Sequence, residues 1–465
     1  MLYHNLLLVY RSFQRFRNTF FINLIGLSSG LACTILIYLW ISDEINFDKF
    51  HKNDHRLFQV MENEQTTTGI KTNTGTPDFL AKTLKDEMPE IEMADVATPA
   101  DFFPPFTLSD SKKHVKGMGK FAGENFFSIF SYNLFRGNDQ QVLKDKNAVV
   151  LSERLANSLF GSTDVVGKTV EWEMMDIKRE VLITGVYHNV PVNSSEQFDF
   201  VLSFESFKDI MRMSNDANWN QSGPFDTYVV LKDAINVRQL NTKLADLISI
   251  KTNNAQHRSL FVRPYSDKYL YADYENGVQS GGRIDYVLLF STLAILILVI
   301  ACINFMNLFT AKVSRRAKDV GIKKVIGAKR SSLVIQYFTE SMVMAFISLF
   351  IAIIIVNLAL PQFNEISGKQ LELHFNIQVL ASIVGLTLLT GLIAGVYPAF
   401  YLSAFDIAAV LKGQVTTSLR DAWVRKGLVV VQFSITIILI VTVLVVHKQI
   451  EFLQTQSIGY NKENV

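Results

Sequence analysis

The residues most suggestive of chemistry are Gly161-Ser162-Thr163-Asp164-Val165-Val166-Gly167-Lys168-Thr169. The run ends in Gly-Lys-Thr like a phosphate-binding loop, whose glycines let backbone amides cradle phosphate. That loop needs four residues between its glycines and opens a helix. Here five intervene, and Val170-Glu171-Trp172-Glu173 reads as a strand. ATP binding at this run is therefore not expected. His51 and His55 stand four apart beside Asp48 and Asp54, a metal-ligand spacing on a helix. A solvated helix face is the expected reading of that cluster. The remaining histidines are scattered, and neither a His-Glu-x-x-His motif nor a Gly-x-Ser-x-Gly elbow occurs. No catalytic residue, metal site or cofactor site is expected, and the chain reads as non-catalytic. Cys33 and Cys302, the 2 cysteines, both sit in apolar stretches, which argues against a disulfide framework. A net charge of +2 supplies no basic field for nucleic acid.

The strongest local signal is a basic loop, Arg315-Arg316-Ala317-Lys318-Asp319-Val320-Gly321-Ile322-Lys323-Lys324-Val325-Ile326-Gly327-Ala328-Lys329-Arg330. A topology-setting flank accounts for its charges. It does not account for Val320, Ile322, Val325 and Ile326, which would give a short helix an apolar face toward a protein or the membrane surface.

The elements around this loop are apolar spans. Hydrophobic residues make up 49% of 465, and the mean hydropathy is +0.20. A membrane helix needs about 20 mostly apolar residues. Five segments qualify: 20–41, 284–311, 333–360, 377–402 and 427–447. The first is too long for the apolar core of a cleaved leader and reads as a retained span. Lys and Arg concentrate at the amino terminus (1–19), in the loop 312–332 and in the loop 403–426. The loop 361–376 carries only Lys369. By the positive-inside rule the amino terminus is then cytoplasmic and 42–283 extracytoplasmic. Gly26, Gly30, Gly391 and Gly395 form small-residue steps suited to helix packing, and Pro398 would kink or end its helix. Glu340 is the ionisable residue placed furthest into a span, so an ion-coupled pathway is not indicated.

Residues 42–283 read as α+β. Thr76-Pro77-Asp78 opens a helix before Pro89, and Phe121 to Phe135 has apolar residues at helical and loop spacing. Ser152 to Phe160 reads as a helix capped by Gly161. Strands are expected at Val170–Met174, Val181–Tyr187, Phe198–Leu202 and Thr227–Leu231, and a helix over 234–250. The fold class is thus an α-helical transmembrane bundle of about five spans plus a large α+β extracytoplasmic domain.

At Arg316-Ala317-Lys318-Asp319-Val320-Gly321-Ile322-Lys323-Lys324-Val325-Ile326-Gly327-Ala328 the sequence resembles the FtsX-like, MacB-type ABC permease family. That family repeats Arg-x-x-Glu-Ile-Gly-Ile-Arg-Lys-Ala-Leu-Gly-Ala after its second span. Gln336 and Glu340-Ser341 continue the pattern, and Val149 to Thr169 looks like the family's outer domain. The resemblance implies a coupling loop (Arg316, Lys318, Asp319, Val320, Gly321, Ile322, Lys323, Lys324, Val325, Gly327, Ala328) that docks a separate cytoplasmic ABC ATPase. It implies motion passed to the outer domain for efflux or for lipoprotein or peptide handling. The alternative is a sensor that signals ligand binding through such an ATPase. Expected partners are that ATPase, membrane lipid, a second permease module in a homodimer or heterodimer, and an extracytoplasmic protein. The fifth span and residues 448–465 read as the start of a second outer domain, so the chain is expected to be part of a two-module protein.

Overall fold

The computed structural model describes residues 17–110, 113–214, 216–310, 320–374, 376–403 and 419–455. The chain divides into two compact units, Ser42–Val287 and the remainder. Helix α1 (Arg17–Ile45) runs from one into the other.

The Ser42–Val287 unit is built on one large mixed sheet. Its elements in chain order are β1 (Leu57–Thr66), β2 (Gly69–Asn73), α2 (Leu80–Glu87), β3 (Ile91–Ala97), β4 (Phe106–Asp110), β5 (Lys113–Gly117), β6 (Gly119–Ala122) and α3 (Phe126–Phe130). There follow β7 (Leu134–Arg136), β8 (Ala148–Ser152), α4 (Glu153–Phe160), β9 (Thr169–Met174), β10 (Ile177–Tyr187), β11 (Phe200–Ser203) and α5 (Phe204–Met211). The last are β12 (Asp226–Leu231), α6 (Val237–Lys251), β13 (Arg258–Pro264), α7 (Asp267–Leu270), β14 (Asp273–Glu275) and β15 (Val278–Gly281). The sheet order is β13-β1-β12-β3-β6-β11-β8-β10-β9-β4-β5, with β2 beside β1 and β7 beside β10. β8 and β10 run parallel, as do β6 and β11.

Continuous apolar runs in β8, β11 and β12 follow from burial on both faces. Val149, Leu151, Phe200, Leu202, Val229 and Leu231 join the core under α2, α4, α5 and α6. Their neighbours Val150, Val201, Tyr228 and Val230 point the other way and pack on α3. Helix α4 starts where Ser152 Oγ accepts the Leu155 amide, and it stops where Gly161 turns left-handed at φ 68°. The helix signalled by Thr76-Pro77-Asp78 forms as α2, which begins at Leu80 behind Phe79 without a side-chain cap. The apolar stretch 121–135 divides into the end of β6, the short α3 and β7.

The second unit holds most of α1 and of α8 (Arg283–Thr310), then α9 (Arg330–Ser367), α10 (Ile377–Ser403) and α11 (Leu419–Thr455). With α1, these are five helices, among the described residues, long and apolar enough to cross a membrane. Pro361 and Pro398 lie inside α9 and α10, so Pro398 does not end its helix. In α11 the apolar residues from Trp423 to Val446 are largely exposed.

Candidate functional site

In the basic loop, residues 320–325 are helical; Arg316, Lys318 and Asp319 lie outside the described residues. The helix ends in a Schellman motif. The Ala328 amide donates to Lys323 O and the Gly327 amide to Lys324 O, both at 2.9 Å. Gly327 supplies the left-handed residue at φ 97°. Inward, Val320 is fully buried with Leu333 and Tyr337 of α9. Lys323 Nζ donates to Gln336 Oε1 at 2.8 Å. Outward, Ile322, Val325 and Ile326 are 57%, 58% and 81% exposed. Gln336 and Val320 thus anchor a turn that displays three aliphatic side chains among Lys324, Lys329 and Arg330.

The glycine steps lie where helices touch. A Cβ on Gly30 would stand 2.6 Å from Ala301 Cβ of α8, and one on Gly391 would stand 2.7 Å from Met342 Sδ of α9. Gly26 faces Asn304 Nδ2 and Gly395 faces Ser341. Glu340 is buried in α9.

In the sheet unit, the near-phosphate-loop is structural. The Gly167 amide donates to Ile183 O at 2.8 Å, and the chain passes directly into β9 at Thr169. Lys168 Nζ lies 5.2 Å from the centre of the Phe160 ring. The amide needed to cradle a phosphate is committed to the sheet.

The face of the sheet toward α3 holds a buried polar hub that no local sequence motif signals. Lys120 Nζ pairs with Glu196 Oε2, with side-chain exposures of 0% and 4%. Glu196 Oε1 accepts from Lys268 Nζ at 2.6 Å and from the Tyr228 hydroxyl at 2.7 Å. The chain of bonds continues through Asp226, which accepts from Gln59 Nε2 at 3.0 Å, to Arg263, which donates to Gln59 Oε1 at 2.7 Å. Burial would raise the Glu196 pKa, but Lys120 and Lys268 outweigh it and hold the carboxyl below the usual carboxylate range. Burial raises Asp226 and Asp48.

The hub gathers the segments that leave α1 and enter α8. Asp48 Oδ1 accepts the Ser195 amide at 2.8 Å, one residue before Glu196. The Phe47 and Tyr269 rings stack at 3.8 Å. Arg283 Nη1 donates to the Tyr269 hydroxyl at 2.8 Å, and that hydroxyl lies 3.1 Å from Glu44 Oε1. This corrects the reading of His51 as part of a solvated face. His51 is buried, donates from Nδ1 to Phe130 O, and is driven by burial to a pKa of about 4; His55 is exposed. The spacing suggested one shared face, but a 3₁₀ turn at Asp54–Arg56 separates the two side chains. Among the described residues no group of three or more His, Cys, Asp or Glu is placed to hold a metal ion.

Comparison with known proteins gives two family matches. Residues 20–247 match the MacB-like periplasmic core domain, and residues 291–407 match the FtsX-like permease C-terminal domain. The chain is similar to the macrolide export ATP-binding/permease protein MacB of Neisseria gonorrhoeae, with 24% identity over 228 residues, 48% of this chain and 32% of that one. It is similar to the pyoverdine export ATP-binding/permease protein PvdT of Pseudomonas savastanoi pv. phaseolicola, with 24% identity over 39% of this chain and 29% of that one. The match thus spans about a third of the length of these curated relatives. Among solved structures, a domain of a putative permease from Porphyromonas gingivalis aligns at 21% identity with a TM-score of 0.39, covering 46% of this chain and 93% of that one. The periplasmic region of MacB from Actinobacillus actinomycetemcomitans aligns at 18% identity with a TM-score of 0.32, covering 45% and 89%.

Proposed function

We propose that this chain, an FtsX/MacB-type ABC transporter permease by both of its matched domains, couples a separate cytoplasmic ATPase to movements of its large α+β domain. The observation that carries this reading is the turn at 320–328. Val320 and Lys323 fix it to α9, while Ile322, Val325 and Ile326 stay exposed. Three aliphatic side chains ringed by cations suit the apolar core and acidic rim of a protein partner. Arg316, Lys318, Asp319, Gly321 and Lys324 belong to the same proposed docking surface. The loop charges orient the helices with the amino terminus, 312–332 and 403–426 inside, and with 42–283, 361–376 and 448–465 outside. The membrane is then a bacterial inner membrane. Gly26, Gly30, Gly391 and Gly395 let the helices approach closely. The names of the relatives favour export as the outcome, and a second permease module completes the assembly.

The hub supplies the outer end of the coupling, since it fastens both segments flanking the membrane helices to the sheet. Co-purification with candidate ABC ATPases from the source cell tests the docking. Ile322→Asp with Ile326→Asp, at exposed positions that leave Val320 in place, should abolish capture of the ATPase and its stimulation. Retained capture and stimulation would refute the docking surface.

A further inference from the structure

Within the helix unit, α1, α8 and α10 leave a groove of about 420 Å³ between them. Thr34 and Tyr38 of α1, Ile295 of α8, and Ser382, Gly385 and Leu389 of α10 line it. Two of the hydroxyls are spent inside their own helices. Thr34 Oγ1 donates to Gly30 O at 2.8 Å, and Ser382 Oγ donates to Gln378 O at 2.9 Å. The wall they present is therefore apolar. A Cβ on Gly385 would meet no atom within 4 Å, so the space beside it is empty of protein. Ile295 and Leu389 are 62% and 51% exposed, so the groove is continuous with the surface that these membrane helices turn to lipid. Trp40 and Tyr286, near the ends of α1 and α8, mark the level of an interfacial aromatic belt. From Trp40 to Thr34 and from Tyr286 to Ile295 the helices descend about 9 and about 14 Å, roughly one leaflet of a hydrocarbon core about 30 Å thick. A helix about 10 Å across would need about twice the groove's volume over about 10 Å of depth, so the groove is too slight for a further span.

We propose that this groove holds one acyl chain of a resident membrane phospholipid, with the Tyr38 hydroxyl donating to an ester or phosphate oxygen of the same molecule. In the proposed topology the site lies in the outer leaflet. A chain lying along Gly385 makes the van der Waals contacts that an empty wall forfeits, which lipid passing across the mouth does not. Tyrosine suits its place there, with an apolar ring and a polar tip for the headgroup level. The groove is separate from the docking turn, and its test needs no ATPase, so it stands or falls apart from the coupling reading.

Native mass spectrometry of the purified full chain, released from micelles containing dioleoylphosphatidylethanolamine, tests it. The unmodified chain and Gly385→Ala should each retain one phospholipid. Gly385→Leu, which puts a side chain into open space, should retain about tenfold less, as lost burial of roughly two methylenes requires. Tyr38→Phe should lower retention about fivefold, the worth of one hydrogen bond. An unmodified chain that sheds its lipid, or Gly385→Leu retaining as much as Gly385→Ala, would overturn the proposal. So would a dimer of the unmodified chain that Gly385→Leu dissociates, which would make the groove an interface between copies. Displacement of the phospholipid by an equimolar N-palmitoylated peptide would also overturn it, making the groove a site for lipidated cargo. Should Gly385→Leu fail to fold, retention by the unmodified chain and the palmitoyl-peptide competition still decide.

Discussion

Glu196→Gln is the sharpest perturbation of the hub. It preserves the shape of the side chain but leaves Lys120, whose side chain is wholly buried, without its carboxylate. Removing one partner of a buried ion pair costs about 3–5 kcal/mol, a large share of the roughly 5–15 kcal/mol that holds a domain together. The Phe126 and Phe198 rings, 5.0 and 5.5 Å from Lys120 Nζ, return part of that cost. The double variant Lys120→Met with Glu196→Gln removes the stranded cation and should regain about 1–4 kcal/mol of the loss. The sign with pH is fixed by the depressed folded pKa. The contribution is complete above 4.5, the unfolded value, and is lost as pH falls below it. The gap between wild type and Glu196→Gln should therefore be constant at neutral pH and close in acid. Urea unfolding of the full chain in micelles measures the gap. Hydrogen exchange should show 46–52 and 265–270 opening before the β8 and β11 core. A loss under about 1 kcal/mol, or a double variant no better than the single, would refute the hub as a buried lock.

Asp95 behaves oppositely, because its folded pKa is raised from 3.8 to about 7. Its contribution is complete below 3.8 and lost as pH rises to 7, so at pH 8 Asp95→Asn should be more stable than wild type by up to about 4 kcal/mol and near parity at pH 4; melting curves across that range check this. His51, lowered from 6.5 to about 4, makes the fold lose stability as pH falls between those values, by up to about 3 kcal/mol, and His51→Gln should flatten that limb of the same curves. Gly30→Val drives a methyl into Ala301 of α8 and should lower the melting temperature in micelles at a cost of about 1–3 kcal/mol.

The spans, the central strands and the α4 caps were legible because each rests on short-range rules. Apolar length marks the spans, apolar runs such as Thr227–Leu231 mark strands though β8 went unread, and Ser152 with Gly161 brackets one helix. The Gly327 turn was legible as a motif, while its Schellman geometry needed coordinates. The hub was not legible at all. Lys120 sits in Gly119-Lys120-Phe121-Ala122 as any strand lysine would. What buries it is Glu196, far along the chain, and Lys268 beyond that. His51 misled for the same reason: its burial is set by Phe130 and the aromatic cluster of Tyr132 and Tyr265, not by its neighbours. Asp95 and Gly123 become a pair only because β3 and β6, apart in sequence, meet at Ala97 and Ala122 and bond through the Gly123 amide and Val96 O.

β1 pairs with β12 along Leu57–Val60 and with β13 along Phe58–Glu64. Neither partner exists until the ribosome has passed Leu231 and then Pro264. At ordinary synthesis rates β1 therefore waits roughly ten to forty seconds with β2, along Glu62–Thr66, as its early partner. In the proposed topology this unit crosses the bilayer, and a sheet that closes last-to-first stays unfolded while it is threaded, the state a translocation channel accepts. The same delay leaves the β13 edge of β1 open to mispairing, so in the proposed topology secretion chaperones should be found on the nascent chain until Pro264 has emerged.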